Sequence, residues 1–481
     1  MRKKSTANAG NGFLRHPIFG AFTRQAREDL KAVYARDLRK WLAIAPLIGV
    51  VTGLTVTAIA MIVLRVMWPP VLRYYLGHHW ALVPGLLLGC AVTGLIMQLF
   101  TPDPDEHSTE EIIRSYHERE GEVNMRSFVP KLLAAITTVG CGASTALEGP
   151  GIYAGGAIGS WLWTRLRHIG RGRGAGLFRV ARGLHVDTRD RRIMLICGAA
   201  AGMSAVFRAP LTGIVFALEM PYKDDLAHEA LLPSLIASVV SYMTLSSFMG
   251  SAPVFDFAAS ASFTRGDLLW CALLGLLIGA IAMAFVTIFR HARRMCIRWS
   301  APHWVKLAIG GGLTALCGEI FLGFYNGSLV PIGPNYEAVS LLLDHPHGSA
   351  ELAVFGVLKL AASLFTLAAG GVSAMFVPLF LTGEAFGLAF AQSVVHSTTP
   401  ALYAAVGMAC FIAAGYKTPL AAVVFVAEAT GGHAFIVPSL VGAAVAYAVS
   451  GDASASGDQR LHEAVEPPAL PGIAAGDAIP S

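Results

Sequence analysis

The sequence predicts an all-α polytopic membrane protein made of two related halves, each interrupted by a broken helix. Three observations carry that prediction. Hydrophobic residues make up 54% of the 481-residue chain and charged residues 14%, with a mean hydropathy of +0.58, the profile of a chain that crosses a bilayer many times rather than of a large soluble enzyme. Apolar runs long enough to span recur along most of the length. Finally, the stretch from Phe207 to Glu219 returns as Tyr416 to Glu428, with aromatic, basic, Pro-Leu, Phe and Glu positions repeated in order.

In chain order, residues 1–40 hold ten Lys and Arg against three acids. Excess positive charge just before the first span argues for a cytoplasmic N-terminal segment. The apolar run that follows speaks against the rival reading of a nucleic-acid-binding arm. That run, at about 41–67, is long enough to span, so no cleavable signal peptide is visible. The first half covers 41–250. A second apolar run at about 80–100 leads into the polar stretch from Thr101 to Glu111, and Lys131 opens the run that delivers Glu148. A helix at about 150–164 precedes a segment with nine arginines from Arg165 to Arg192, which the same charge rule assigns to the cytoplasmic side. Apolar runs at about 193–220 and 230–250 complete this half. Residues 251–264 are small, polar and aromatic and read as a linker. The second half, 265–450, carries runs at about 268–290, 304–325, 353–369, 374–393, 401–428 and 434–449. Residues 451–481 turn to Gly, Asp, Ser, Pro and Ala, a short mobile tail with no regulatory domain.

The chemistry is concentrated around Glu148, a single carboxylate inside an apolar, glycine-rich run and followed by Gly149-Pro150-Gly151. Proline suits the first turn of a helix, where its missing N–H has no partner to lose. A chain break and a new helix near Pro150 therefore place free N–H groups and the positive dipole end beside Glu148. A helix N-terminus within the membrane is an anion site, and a carboxylate there competes with the anion. A carboxylate that merely caps the helix is the plainer alternative. A fainter partner of this stretch occurs at Gly371 to Pro378: Pro150, Gly155 and Gly159 match Pro378, Gly383 and Gly387. Two halves with Gly/Pro-interrupted helices in corresponding places point to a binding site between them near mid-membrane.

Glu148-Gly149-Pro150 and Arg208-Ala209-Pro210-Leu211, with Gly371 to Pro378 and Lys417-Thr418-Pro419-Leu420, resemble the CLC family of chloride channels and chloride/proton antiporters. The resemblance covers about 41–450. It implies two inverted-topology repeats whose broken helices meet at a mid-membrane anion site, and a homodimer with one pathway per subunit. The implied cargo is chloride or a similar small inorganic anion, with protons as partner in the antiporters and no cofactor. By the same resemblance Glu148 is the gate, and Gly149, Gly151, Ala374, Met375 and Phe376 supply backbone to the anion. The family's serine-bearing motif corresponds here to Glu106 through Glu111. His107 takes the serine's place, and Ser108 or Thr109 is left to supply a hydroxyl. His107 can donate to an anion and titrate near neutrality, or simply face water. Met220 stands where many antiporters carry an inner proton-handling glutamate, and Glu219, about 100° away on the helix, reads as a structural pairing residue. The remaining proton-path candidates are Glu148, His107, Asp224 and Asp225, with His228 and Glu229 beyond them. The family's pore-lining tyrosine after the last helix has no counterpart in Asp452 to Ala455, and Tyr447 falls inside the helix. These features predict channel-like or weakly proton-coupled anion flux, with a tightly coupled antiporter as the alternative.

Other classes fare poorly. His117-Glu118 and His228-Glu229 lack a second histidine at metalloprotease spacing, and no Gly-x-Ser-x-Gly elbow occurs. The seven cysteines lie mostly in or beside apolar runs without paired metal spacing and read as packing residues. No metal is expected. A broken-helix transporter of another solute is the distant rival. Lys131, Glu319, Lys359 and Glu384 are ionisable residues within spans, and each needs a partner or a function. The expected location is a bacterial inner membrane.

Overall fold

The computed structural model describes residues 17–106, 108–171, 186–252, 254–255, 263–325, 329–344, 347–430 and 432–462. Over them the chain is helical, with only isolated β-bridges. In the first half α1 (Pro17–Ala60) runs through a π-helical turn, Met61–Met67, into α2 (Trp68–Gly77). Then follow α3 (Leu82–Phe100), α4 (Ser108–Glu118), α5 (Phe128–Gly140), α6 (Glu148–Arg171), α7 (Thr188–Phe207), α8 (Pro210–Glu219) and α9 (Leu231–Met249). The second half holds α10 (Arg265–Arg298), α11 (His303–Phe324), α12 (Ala338–Asp344), α13 (Ser349–Ala368), α14 (Phe376–Phe390), α15 (Pro400–Tyr416), α16 (Pro419–Thr430) and α17 (Ile436–Val449). Seven helices among the described residues are long and apolar enough to cross a membrane. The protein is a multi-pass integral membrane protein.

The apolar runs at 193–220 and 401–428, continuous in sequence, are each divided in two. Arg208 and Lys417 adopt the left-handed conformation at φ 51° and 59°, and Pro210 and Pro419 each start a new helix two residues on. The breaks are equivalent at the repeat shift of 209 residues, the difference between 417 and 208. They let the halves cap one another. Glu219, the last residue of α8, accepts from the Leu420 and Ala421 amides at the start of α16, at 3.0 and 2.7 Å. Glu428 on α16 accepts from the equivalent Leu211 and Thr212 amides of α8, at 3.1 and 2.8 Å, and from Thr212 Oγ1. Helix N-termini favour negative charge and leave amides unpaired, so each glutamate satisfies what the other half exposes.

Glycine sets the approach of the inner helices. A Cβ on Gly155 of α6 would fall 1.9 Å from the Gly198 carbonyl oxygen of α7. In the second half a Cβ on Gly383 of α14 would fall 2.2 Å from the Gly407 oxygen of α15. The two helix pairs are thus packed backbone to backbone, in the small-residue manner of membrane interfaces.

Two sequence expectations need correction here. The tail packs on the helices as far as 462: Ala455 donates to the Gly415 carbonyl at 2.7 Å, and Gln459 Nε2 reaches the carbonyls of Met220, Tyr222 and Tyr416 at 3.0–3.2 Å. Ser454 and Ser456 are buried with it. The stretch read as a linker contributes Phe255, which is buried and packs on Tyr336 and edge-on to Phe380.

Candidate functional site

The site is built where two broken helices meet. In the first half Gly142, at φ 100°, turns the chain after α5, and α6 begins six residues later at Glu148. In the second half Gly370, at φ 111°, turns it after α13, and α14 begins six residues later at Phe376. A positive φ of this size favours glycine. The two extended segments lie antiparallel, joined by a bridge between Ala146 and Ala374, which are equivalent residues at a shift of 228. Thr145 Oγ1 donates to the Ala374 carbonyl at 2.7 Å, and Ser373 Oγ donates to the Ala146 carbonyl. The antiparallel pairing of equivalent residues is what inverted topology requires, and it brings the N-termini of α6 and α14 together.

Glu148 lies at this junction, 1% exposed. Its Oε1 accepts from the Phe376 amide at 2.8 Å, while Oε2 is buried with no hydrogen-bond partner among the described residues. A simple cap would satisfy the N-terminus of its own helix. This one reaches across to the equivalent residue of the other half. Leu147 donates to Tyr336 Oη at 3.2 Å, and Met375 donates to Tyr416 Oη at 2.9 Å, so a tyrosine steadies each broken segment.

Ala374 and Met375 line a cavity of about 40 Å³, room for a single water-sized occupant or small ion. Thr109 lines it too, and its Oγ1 is buried without a partner among the described residues, as is Oγ of Ser108. Gly149 packs against the Ser373–Ala374 backbone, where a Cβ would come within 2.7 Å. The Gly151 amide, expected to face the anion, donates instead to the Leu147 carbonyl at 2.9 Å, because helix α6 already begins at Glu148. It has no free N–H to offer. His107 lies outside the described residues. Asp224 accepts from Tyr447 Oη, Asp225 accepts from the Leu226 amide, and neither lines the central cavity. Thr109, Ala374 and Met375 share this cavity, Glu148 is bonded to Phe376 next to it without lining it, and the two aspartates lie apart.

The intramembrane charges resolve unevenly. Lys131 is ion-paired with Glu111, both buried, and Lys359 Nζ donates to the Gly333 carbonyl at 2.8 Å. Both carboxylate oxygens of Glu384 are buried and have no partner among the described residues. Sequence reasoning missed Tyr416, which lines the cavity from the end of α15. The signal was present: in the internal repeat it is the tyrosine that stands opposite Phe207. Its hydroxyl accepts from Met375, which leaves its own proton free to donate.

Comparison with known proteins agrees with this fold. The family model described as voltage gated chloride channel matches residues 89–451. An H(+)/Cl(-) exchange transporter, ClcA, of Yersinia pestis is 25% identical over 356 residues, 72% of this chain and 70% of the relative. A CLC-type fluoride/proton antiporter of known structure superposes with a TM-score of 0.74 at 22% identity, covering 88% of this chain and 98% of the other. A slow cyanobacterial Cl-/H+ antiporter does so at 0.70 and 20% identity, covering 85% and 94%.

Proposed function

The chain belongs to the voltage-gated chloride channel (CLC) family, and from that membership we propose that it carries chloride or a similar small inorganic anion across the membrane, gated by Glu148, with channel-like or weakly proton-coupled flux. The observation that carries the reading is the position of the Glu148 carboxylate. One oxygen holds the Phe376 amide and the other is buried and unpartnered, where two helix N-termini converge. Such a place favours negative charge. An anion can take it when the side chain swings away or is protonated.

Weak coupling is favoured by Met220, buried at the inner end of α8, whose thioether carries no proton at any useful pH. Tight antiport is the second reading, favoured by the exchangers among the relatives and structural neighbours. The excess of Lys and Arg in residues 1–40 supports a cytoplasmic N-terminus in a bacterial plasma membrane. The family resemblance supports a homodimer.

The test uses purified protein in liposomes, with an anion gradient imposed and anion and pH recorded together. The expected outcome is flux of chloride, fluoride, bromide or nitrate with little proton movement. Glu148→Gln and Glu148→Ala keep a folded protein and lose the pH dependence. Uphill proton transport at fixed stoichiometry, abolished by Glu148→Ala, establishes the antiporter instead. A capping role alone predicts a loss of about 0.5–2 kcal/mol in stability with pH dependence intact.

A further inference from the structure

We infer that the face carrying the arginine-rich segment holds a regulatory site for a phosphate monoester, bound between Arg192 of α7 and Arg460 of the tail. Its effect on flux rests on the anion-transport reading above, whereas the binding itself does not. The site is a cavity of about 510 Å³ enclosed by the end of α4, the start of α7, the turn before α9 and the tail. None of its lining residues lines the central cavity at Ala374 and Met375. A volume of this size suits a small organic ligand and would hold a single halide loosely.

The charges on its wall do not cancel. Two carboxylates line it, and each already faces an arginine. Glu229 Oε2 accepts from Arg189 Nε at 2.5 Å, and Glu120 Oε2 lies 3.6 Å from Arg191 Nη2. Arg192 and Arg460 line the same cavity with no carboxylate in ion-pairing range among the described residues. The Arg192 guanidinium lies 5.8 Å from the centre of the Tyr116 ring, a contact that steadies the cation without neutralising it. Both charges converge on His117, whose Nε2 donates to the Pro221 carbonyl at 2.7 Å. Burial holds that imidazole below its ordinary range, the Pro221 carbonyl opposes, Arg460 and Arg192 lower it further, and Glu118 raises it. A neutral His117 leaves two guanidinium charges unmatched.

The chemistry of the wall selects the ligand. A guanidinium presents paired N–H groups that match two oxygens of a phosphate. A phosphate monoester carries close to two negative charges near neutrality, enough to answer both arginines. A halide matches neither the fork nor the second charge. Such a group comes from a soluble phosphorylated molecule or from a lipid headgroup, since Glu229 and Ala230 stand at the start of a membrane-spanning helix.

The tail links this site to the anion route. The Arg460 amide donates to the Pro221 carbonyl at 3.2 Å, and the Arg460 carbonyl accepts from the Lys223 amide at 2.8 Å. Ala455 and Ser456, a few residues earlier in the same segment, line the central cavity. A phosphate held by Arg460 on one side and by Arg192 on the other pins the tail against α7, and with it one wall of that cavity. Ligand binding and tail closure then strengthen each other by the same factor. An occupied site lowers anion flux.

The experiment is calorimetric titration of the full chain in detergent with phenyl phosphate and, separately, with dioctanoyl phosphatidic acid, a lipid that carries the same monoester. Dioctanoyl phosphatidylglycerol, a singly charged diester, is the control and is expected to bind more weakly than the phosphatidic acid. Binding of phenyl phosphate supports a soluble ligand, and binding of phosphatidic acid alone supports a headgroup. Arg192→Gln and Arg460→Gln are each expected to weaken binding about tenfold, the loss of one charged hydrogen-bond donor. Binding of neither probe, or binding that both substitutions leave unchanged, overturns the inference. If Arg460→Gln does not fold, Arg192→Gln decides, because it leaves the tail untouched. With the bound probe on both faces of liposomes, flux is expected to fall about fivefold and proteolysis near the C-terminus to slow. Binding that alters neither overturns the regulatory role. Probe binding in a parent protein that moves no anion rejects the transport reading alone.

Discussion

At the scale of single residues, the Tyr416 hydroxyl at the small cavity invites the sharpest test. Tyr416 reaches it from the end of α15, where its oxygen takes the Met375 amide and its proton stays available. Removing that oxygen in Tyr416→Phe leaves a buried amide without its acceptor, at a cost of about 1–3 kcal/mol in thermal unfolding. If the hydroxyl also serves the anion, bromide affinity falls in the same variant. Lowered stability with unchanged affinity would mean that Tyr416 only props the broken segment. Tyr447, the other tyrosine near the chain end, is half-buried, and its single hydroxyl proton is shared between the Lys223 carbonyl and Asp224.

At the scale of elements, the exchange of carboxylates between α8 and α16 locks the halves together. Glu428 receives three donors and Glu219 two, yet their surroundings differ. Glu219 is 5% exposed, whereas Glu428 is half-buried. Losing a charged acceptor leaves its donors unsatisfied, which costs more the more completely the pair is buried. Glu219→Ala is therefore expected to lower stability by more than Glu428→Ala, by about 1.5–3 kcal/mol for the charged hydrogen bonds it removes. Thermal unfolding of the two variants side by side checks the order, and the reverse order would refute the burial argument.

At the scale of the whole molecule, the tail closes the fold beneath the cavity. Gln459 holds carbonyls from α15 and from the end of α8, and Ala455 and Ser456 line the cavity itself. Gln459→Ala removes three hydrogen bonds from one buried amide and is expected to free the segment around 454–462. The readouts are faster limited proteolysis near the C-terminus and a severalfold rise in anion flux. Proteolysis that accelerates while flux stays constant would leave the tail a structural strap and nothing more.

Much of this organisation was written locally in the chain. Apolar length gave the spans, Gly-Pro breaks gave the interrupted helices, and repetition of Pro-Leu with Glu at fixed spacing gave the two halves, because each depends on neighbours within a turn or two of backbone. Glu148 could be singled out for the same reason, as one carboxylate next to a helix start. What the sequence could not give was who meets whom across 200 residues. That Glu148 takes the Phe376 amide, that Glu219 caps the other half, and that Glu110 faces Arg293 follow only from the inverted packing of the halves. The same packing draws the tail, which looks unstructured by composition, into the fold. Its polar groups find their partners in the carbonyls that the breaks after α8 and α15 leave open.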